Sequence, residues 1–218
     1  MTPTDGGLPV VDPPFAAGDR PAARVAGVLL AAGTSSRFGG TNKLLADLDG
    51  EPLVRRAART LAAADLDPLV AVVGHEAARV RDALSGLGFA VVENPDYAAG
   101  QATSVRAAVG ALDGDRGDAA VFALGDMPAV APDTVRALVA AHRAGHRTAL
   151  AAAHEGERGN PVLFDAVHFT ALAGVEGDVG GRAILRSGED SALVETGDPG
   201  VRRDVDTRDD LAAVRDDR

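Results

Sequence analysis

The sequence has no cysteine and no tryptophan, and it has one tyrosine and six phenylalanines among 218 residues. The absence of cysteine excludes disulfides, thiolate metal sites and cysteine nucleophiles. Because aromatic residues make up 3% of the chain and apolar residues 46%, we expect a core built from alanine, valine and leucine. The length is sufficient for one large α/β domain with such a core.

Long apolar runs are also missing, since none approaches the roughly 18 residues of a membrane-spanning helix. The first residues lack the basic stretch and apolar stretch of a signal peptide, so we expect a cytoplasmic protein. Acidic residues outnumber basic residues by 32 to 22, which gives a net charge of −10. Because such a surface repels nucleic acid and anionic membranes, we expect neither as a partner.

Lysine is nearly absent, since Lys43 is the single lysine beside 21 arginines. It closes the segment GTSSRFGGTNK (33–43), which directly follows the apolar run VAGVLLAA (25–32). Glycines let the backbone turn sharply and approach a ligand, and successive N–H groups in such a loop bind anions. The hydroxyl groups of this segment and the cations Arg37 and Lys43 add further phosphate ligands. This composition predicts a polyphosphate-binding loop.

Strand-length apolar runs alternate with helix-length amphipathic runs from residue 25 onward. Strands are predicted at 25–32, 68–74, 89–94, 118–126, 147–154, 160–165, 191–196 and 202–206. Helices are predicted at 51–64, 75–86, 101–112, 132–145, 166–173, 180–187 and 207–217. This order predicts a three-layer α/β/α, Rossmann-like domain with a mostly parallel sheet and ligands at the carboxyl ends of its strands.

The N-terminal residues 1–23 differ from the rest, because they carry five prolines and no periodic pattern. We predict a disordered or loosely packed tail there, followed by a single domain over residues 24–218.

Two common phosphate-binding patterns do not fit the loop after the first strand. The P-loop requires serine or threonine after the lysine, where Leu44 stands, and G-x-G-x-x-G fits no window between Gly33 and Gly40. The pattern L-x-A-A-G-x-S-x-R-x-G followed by K-L-L resembles instead the signature of the nucleotidyltransferase superfamily with a glycosyltransferase-A-type fold. Within that superfamily, residues 25–211 most resemble the molybdenum cofactor cytidylyltransferases.

The resemblance implies an enzyme that transfers a nucleoside monophosphate from an NTP to a phosphate-bearing acceptor and releases pyrophosphate. It implies Mg²⁺ as the cofactor and molybdenum-bound molybdopterin as the acceptor. Ala-Ala-Gly at 31–33 is similar to the cytidylyl branch, whereas the guanylyl branch has Ala-Gly-Gly, so CTP is the implied nucleotide. The implied catalytic residues are Arg37, Lys43 and Asp126. The implied nucleotide-binding residues are Leu30, Ala31, Ala32, Gly33, Thr34, Ser35, Ser36, Arg37, Lys43, Gly100, Thr103 and Ser104.

Two aspartate segments are candidates for the metal site. Asp126 follows the apolar run VFALG, and a carboxylate at the carboxyl end of a strand suits Mg²⁺ in phosphate chemistry. In RRDVDTRDDL (202–211), where the family reads D-x-D-T-P-E-D-L, Asp204 and Asp206 alternate on the predicted strand and share a face. The resemblance implies Asp126 and Asp206 as the metal ligands, with Asp204 as the alternative to Asp206. Thr207 and Asp210 are spaced as in a capping box.

The segments ERGNPVLF (157–164) and GDVGGRAIL (177–185) resemble the family's acceptor loops. The implied acceptor-binding residues are His75, Arg158, Asp178 and Arg182. Both arginines are suited to forked contacts with a phosphate, and Asp178 to orienting a loop or a substrate group. His75 either contacts the acceptor or begins a helix. The other histidines, which lack metal-ligand spacing and are predicted to be solvated, are His142, His146, His154 and His168.

Two alternatives to this function remain open from the sequence. One is a nucleotidyltransferase that acts on a sugar 1-phosphate or another small phosphate. The other is a non-catalytic nucleotide-binding or chaperone protein that assists the assembly of a molybdoenzyme partner.

Overall fold

The computed structural model describes residues 7–16, 18–20, 22–35, 38–112, 117–177, 181–188 and 190–216. The strands in these residues are β1 (Val10–Val11), β2 (Val25–Ala31), β3 (Asp47–Leu48), β4 (Glu51–Pro52), β5 (Leu69–Val73), β6 (Ala90–Glu93), β7 (Ala119–Leu124), β8 (Ala149–His154), β9 (Glu157–Asp165) and β10 (Ser191–Glu195). The helices are α1 (Leu53–Ala62), α2 (Ala77–Ala83), α3 (Gln101–Ala111), α4 (Pro132–Arg143), α5 (Phe169–Ala173), α6 (Arg182–Ser187) and α7 (Arg208–Asp216).

Eight of the strands form one sheet in the order β1-β10-β8-β9-β7-β2-β5-β6, and β3 pairs with β4 separately. Strand β9 runs antiparallel to both β7 and β8, and the other neighbours in the sheet are parallel. The prediction of a mostly parallel α/β sheet is therefore confirmed. The antiparallel direction of β9 follows from its short connection to β8, since a parallel return needs a longer crossover.

The core lies on both faces of this sheet, as the alternation of side chains along β2 shows. Val25, Leu29 and Ala31 pack on the face covered by α1, α2, α4 and α7. Ala26 and Val28 pack on the opposite face, covered by α3, α5 and α6. Because successive side chains of a strand point to opposite faces, a continuous apolar run is required for a strand buried on both sides.

Part of the N-terminal segment lies on the sheet. Val10 and Val11 pair in parallel with Leu193 and Val194 of β10, and Leu8 is buried. These contacts differ from the loosely packed tail predicted for residues 1–23, since they extend the sheet by an edge strand. The reason is that an edge strand of two residues needs no periodic pattern that a sequence could display.

Two further local predictions are wrong. Residues 203–206 form no strand. They follow a 3₁₀ turn at Pro199–Arg202 and are held by the hydrogen bond from Val205 N–H to Asp126 O, 2.9 Å.

His142 is fully buried rather than solvated, and its Nε2 lies 3.0 Å from Asp165 Oδ2. Burial of a histidine is possible there because a carboxylate partner is supplied by β9.

In the described part of the chain, no helix has the length and apolar character needed to cross a membrane.

Candidate active site

The loop between β2 and Lys43 is closed by its own polar side chains. The Lys43 N–H donates to Ser35 Oγ (3.0 Å), and Asn42 Oδ1 accepts from the Leu44 N–H (3.1 Å). Asn42 Nδ2 also donates to the carbonyl of His75 (3.2 Å), which lies just beyond β5. Asn42 is thereby the N-cap of the 3₁₀ turn that begins at Lys43. These bonds fix the position of Lys43 at the carboxyl ends of β2 and β5.

Asp126 lies at the same edge of the sheet, because β7 is the parallel neighbour of β2. The ladder between the two strands reaches Leu30 opposite Leu124, and the Gly125 N–H extends it by a bond to Leu30 O (2.9 Å). An alanine Cβ at Gly125 would lie only 3.2 Å from Leu30 O, so little space is left for any other residue. Asp126 therefore projects from the end of a rigid pair of strands.

Lys43 joins the two predicted metal ligands. Its Nζ donates to Asp126 Oδ2 and to Asp206 Oδ1, each at 2.7 Å. The lysine is 9% exposed, so this charged cluster is largely shielded from water. The structure thus brings together Lys43, Asp126 and Asp206, three of the residues that the sequence analysis selected.

The charge state of Lys43 is set by this contact. Burial alone would lower the pKa of Lys43, but the attraction of Asp126, its hydrogen bond and the hydrogen bond of Asp206 together raise the pKa above its ordinary value. Lys43 is therefore a permanent cation between two carboxylates at neutral pH.

Asp206 is positioned by the entry of α7. Asp210 Oδ2 accepts hydrogen bonds from the N–H of Asp206 (3.1 Å) and of Thr207 (2.7 Å), and the Thr207 hydroxyl accepts from the Asp210 N–H (3.2 Å). The predicted capping box is confirmed by these bonds. Hydrogen bonds from Thr207 hold the pKa of Asp210 below its usual value. The cap orients Asp206 toward the carboxyl end of β7.

The donor set of this cluster fits a divalent cation. Asp126 Oδ1 is buried and has no hydrogen-bond partner among the described residues. Such an orphaned carboxylate oxygen is costly unless a ligand satisfies it. Mg²⁺ in phosphate-handling sites takes one or two carboxylates together with substrate oxygens, which matches Asp126 and Asp206. No group of three or more acidic or histidine ligands occurs in the part of the chain that the structure describes.

A cavity of about 300 Å³ opens beside Lys43 and Asp126. We call it the nucleotide cavity. Its other lining residues come from the loop after β2, the segment before α3 and the first turn of α3: Leu30, Ala32, Gly33, Thr34, Leu44, Tyr97, Ala98, Gly100, Gln101, Ser104 and Leu124. Apart from its chain neighbours, no described residue has an atom within 4 Å of an alanine Cβ placed at Gly33. The described residues therefore leave room for a ligand to approach the backbone there.

The entry to α3 is organised by a buried asparagine. Asn94 Nδ2 donates to Thr103 Oγ1 (2.8 Å) and to Ser104 Oγ (3.0 Å). The Thr103 hydroxyl in turn donates to the carbonyl of Gly100 (2.8 Å), whose φ of 108° is accessible to glycine. Thr103 therefore supports the turn from inside, whereas Ser104 and Gly100 line the cavity.

A second cavity of about 390 Å³ adjoins the first. We call it the acceptor cavity. The two cavities share Leu30, Gln101 and Leu124. The polar lining of the acceptor cavity includes Asn160, Asp204 and three arginines, Arg158, Arg182 and Arg202. Its apolar lining is Val105, Phe122, Met127, Val162, Phe164, Leu185 and Val201. The cavity combines an apolar floor with positive charge, in a protein whose net charge is −10.

Several predicted site residues lie elsewhere. Ala31 is buried in the core on the opposite face of β2 from Ala32, as strand alternation requires. Ser35 lies within the loop and bonds Lys43 rather than lining the cavity. His75 is absent from the described lining of both cavities and lies beside Tyr97, with ring centroids 6.1 Å apart. Ser36, Arg37 and Asp178 fall outside the described residues.

Sequence reasoning missed three residues that shape the site. Asn42 and Asn94 act through buried hydrogen bonds, and Tyr97 forms a wall that fills the space over Gly74. Asn42 could have been found, because asparagine directly before a short helix is a common N-cap. Asn94 bonds to Thr103 and Ser104 across a turn, and Tyr97 packs over Gly74 after another strand, so neither contact follows from a local capping pattern.

Comparison with known proteins agrees with this geometry. A family model described as "MobA-like NTP transferase domain" matches residues 27–193. The chain is 32% identical over 204 residues to the protein named nicotine blue oxidoreductase of Paenarthrobacter nicotinovorans, covering 87% of this chain and 96% of that protein. It is 30% identical over 202 residues to purine catabolism protein PucB of Bacillus subtilis, covering 87% and 95%.

Solved structures give the same result. Rv0371c from Mycobacterium tuberculosis H37Rv superposes with a TM-score of 0.75 at 31% identity, over 88% of this chain and 98% of that one. A structure of Rv0371c in complex with manganese superposes with a TM-score of 0.73 at 29% identity, over the same 88% and 98%. The similarity therefore includes nearly the whole fold.

Proposed function

This chain belongs to the family of MobA-like NTP transferase domains and is a nucleotidyltransferase, and we propose that it transfers CMP from CTP to molybdenum-bound molybdopterin. The observation that carries the proposal is the contact of Lys43 with Asp126 and Asp206. Lys43 and Asp126 line the nucleotide cavity, which adjoins the acceptor cavity through Leu30, Gln101 and Leu124. One cavity receives the nucleotide and the other receives the acceptor. The reaction joins the acceptor phosphate to the α-phosphorus of CTP and releases pyrophosphate. The proposal includes a cytoplasmic location.

In this proposal each part of the site has its own role in binding or charge neutralisation. The glycine-containing loop after β2 binds the triphosphate through its backbone N–H groups, and Arg37 holds the leaving phosphates. Lys43 contributes a compact positive charge at the α-phosphate, where negative charge concentrates. A phosphate acceptor is already an anionic nucleophile, so no general base is needed. Rate enhancement then comes from orientation and charge neutralisation.

The metal assignment follows from the carboxylates. Asp126, with its buried orphaned Oδ1, and Asp206 are the residues that would hold Mg²⁺. When bound, Mg²⁺ supplies neutralisation of the phosphate charge and a template for the two reacting groups. The manganese complex of Rv0371c, which is 29% identical, supports a divalent cation in this family.

The acceptor assignment is supported by the composition of its cavity. Arg158 and Arg182, both predicted from the sequence, line it together with the aromatic rings of Phe122 and Phe164, whose centroids are 6.0 Å apart. Arginine forks bind phosphate, and an aromatic floor suits a flat heterocycle. A phosphorylated pterin has both features, whereas a sugar 1-phosphate lacks the flat apolar surface.

The experiment that tests this function is pyrophosphate release with Mg²⁺, in which each of the four NTPs is offered with molybdenum-loaded molybdopterin. Release with CTP alone supports the proposal. Release with GTP alone contradicts the choice of nucleotide and leaves the chemistry intact. Release with a sugar 1-phosphate, and none with molybdopterin, contradicts the acceptor.

The second candidate is the non-catalytic role in molybdoenzyme assembly that the sequence left open. In that role the chain would bind nucleotide during assembly of a molybdoenzyme and transfer nothing. Nucleotide binding that is indifferent to Mg²⁺, with no pyrophosphate released for any acceptor, distinguishes this candidate from the first.

A further inference from the structure

We propose that Lys43 controls when the metal binds: its ammonium holds both carboxylates in the free protein and keeps their affinity for a divalent cation low until a triphosphate draws it away. The inference rests on the proposed function and adds an order of binding to it. The nucleotide and the metal then bind together, and the metal binds only weakly alone.

The Lys43 ammonium and a divalent cation would use the same two carboxylates. Lys43 Nζ lies 2.7 Å from an oxygen of Asp126 and 2.7 Å from an oxygen of Asp206, so it occupies the space between the two carboxylates. A divalent cation shared by the same carboxylates would lie within a few ångströms of the ammonium. Because the lysine is 9% exposed, water screens that repulsion poorly. The ammonium and a divalent cation therefore compete for the two carboxylates.

The two carboxylate oxygens of Asp126 allow the ammonium to be exchanged for a divalent cation in steps. Its Oδ2 is bonded to Lys43, whereas its Oδ1 is buried and lacks a hydrogen-bond partner among the described residues. A cation can therefore contact one oxygen of Asp126 before the ammonium leaves the other. The hydrogen bond of Lys43 to Asp206 Oδ1 is lost when the ammonium moves.

The nucleotide cavity provides the new partner for the ammonium. Lys43 lines this cavity together with Gly33 and Thr34 of the predicted triphosphate loop. Its backbone is held by Ser35, so the movement is confined to the flexible side chain. A four-carbon stem with a compact ammonium is suited to exchange between carboxylates and phosphates, and arginine's planar fork is not. Triphosphate binding thereby removes the charge that opposes the metal.

Manganese titration followed by electron paramagnetic resonance of the free ion tests this directly, in the absence of nucleotide. Lys43→Met is expected to bind Mn²⁺ at least roughly tenfold more tightly than the wild type, because a buried neighbouring cation is removed. Lys43→Arg keeps the charge and is expected to bind as weakly as the wild type. Arg81→Met is the matched control, since it removes one positive charge from an exposed pair with Glu93 away from both cavities. Equal or weaker binding in Lys43→Met overturns the inference.

A second measurement uses the wild type and so does not depend on how a variant folds. Because Lys43 is the single lysine, ¹⁵N-lysine labelling gives one Nζ resonance. We expect Mg²⁺ at low millimolar concentration to leave this resonance in place, and Mg²⁺ with CTP to shift it. A resonance that moves fully with Mg²⁺ alone, or that stays unchanged while CTP and Mg²⁺ are bound, contradicts the inference.

Different results contradict the control of metal binding by Lys43 and the metal assignment of the proposed function. This inference alone is overturned if the wild type releases pyrophosphate in an Asp126-dependent reaction while the Mn²⁺ affinity of Lys43→Met is unchanged. Mn²⁺ binding that persists in Asp126→Asn overturns the metal assignment of the proposed function, and the control by Lys43 with it.

Discussion

The nucleotide cavity and the acceptor cavity share three residues but are built differently. The nucleotide cavity is lined in part by small residues such as Gly33, Ala98 and Gly100, and its polar residues Lys43, Asp126 and Ser104 belong to hydrogen-bonded networks. The acceptor cavity has an aromatic floor and a rim of arginines, of which Arg182 and Arg202 are exposed. Nucleotide handling is therefore tied to the fold itself, whereas acceptor choice depends on side chains that can be exchanged at little cost in stability.

The strongest test of this contrast removes the carboxylate of Asp126, which lines the nucleotide cavity. Asp126→Asn is expected to lower kcat by about a thousandfold, because charge stabilisation at the reacting phosphate is lost. Pyrophosphate release with CTP and acceptor measures the effect. The control is Asp133→Asn, an exposed aspartate of α4 paired with Arg136. Activity of Asp126→Asn within tenfold of that control would remove the carboxylates from the mechanism.

The next largest effect is expected at the lysine. Lys43→Arg keeps the charge beside the two carboxylates, yet its planar guanidinium is not suited to exchange between them and a phosphate. We expect a folded protein whose kcat falls roughly a hundredfold. Thermal unfolding monitored by circular dichroism establishes the fold, and turnover is measured in parallel. Near-normal turnover would contradict the role given to a compact point charge.

The acceptor side is tested by the arginines. Arg158→Gln and Arg182→Gln are each expected to raise the KM for the acceptor by roughly tenfold or more, since each removes a charge-assisted hydrogen bond. The KM for CTP and the unfolding temperature are expected to remain as in the wild type. Arg186→Gln, in the same helix as Arg182 but away from the described cavity lining, is the matched control. An equal rise in the KM for CTP would contradict the division into two cavities.

The smallest effect is expected from one methyl group. Gly33→Ala adds a Cβ that, apart from its chain neighbours, meets no atom of the described residues within 4 Å, so stability should be unchanged while the KM for CTP rises several-fold. Gly110→Ala is the matched control, because Gly110 is equally open but lies in α3 away from the described cavity lining. Unchanged CTP affinity in Gly33→Ala would remove this loop from direct contact with the nucleotide.

Much of this architecture could be predicted from the sequence, because its signals are local. The buried run at 25–32 defines a strand with both faces covered, and the glycines and lysine that follow it define a phosphate loop. Thr207 and Asp210 are three residues apart, so their capping box was predictable and is confirmed.

Other features depend on contacts between distant residues. The burial of His142 against Asp165 comes from tertiary pairing, which leaves no periodic pattern. Asp204 and Asp206 were predicted to share the face of a strand, whereas an irregular segment sends Asp206 to Lys43 and Asp204 to the acceptor cavity. The contact between Lys43 and the carboxylates could not be predicted either, since each residue was assigned to a substrate or a metal rather than to the others.

The central claim is that Asp126, Asp206 and Lys43 lie between a nucleotide and a phosphate acceptor that react with each other. The most direct measurement is the stoichiometry of pyrophosphate and nucleotidylated acceptor, the latter by mass spectrometry, with Mg²⁺, CTP and molybdenum-loaded molybdopterin. The account predicts one pyrophosphate for each CMP adduct in the wild type and neither product in Asp126→Asn. Bound CTP without pyrophosphate for any acceptor, or products that persist in Asp126→Asn, would contradict it.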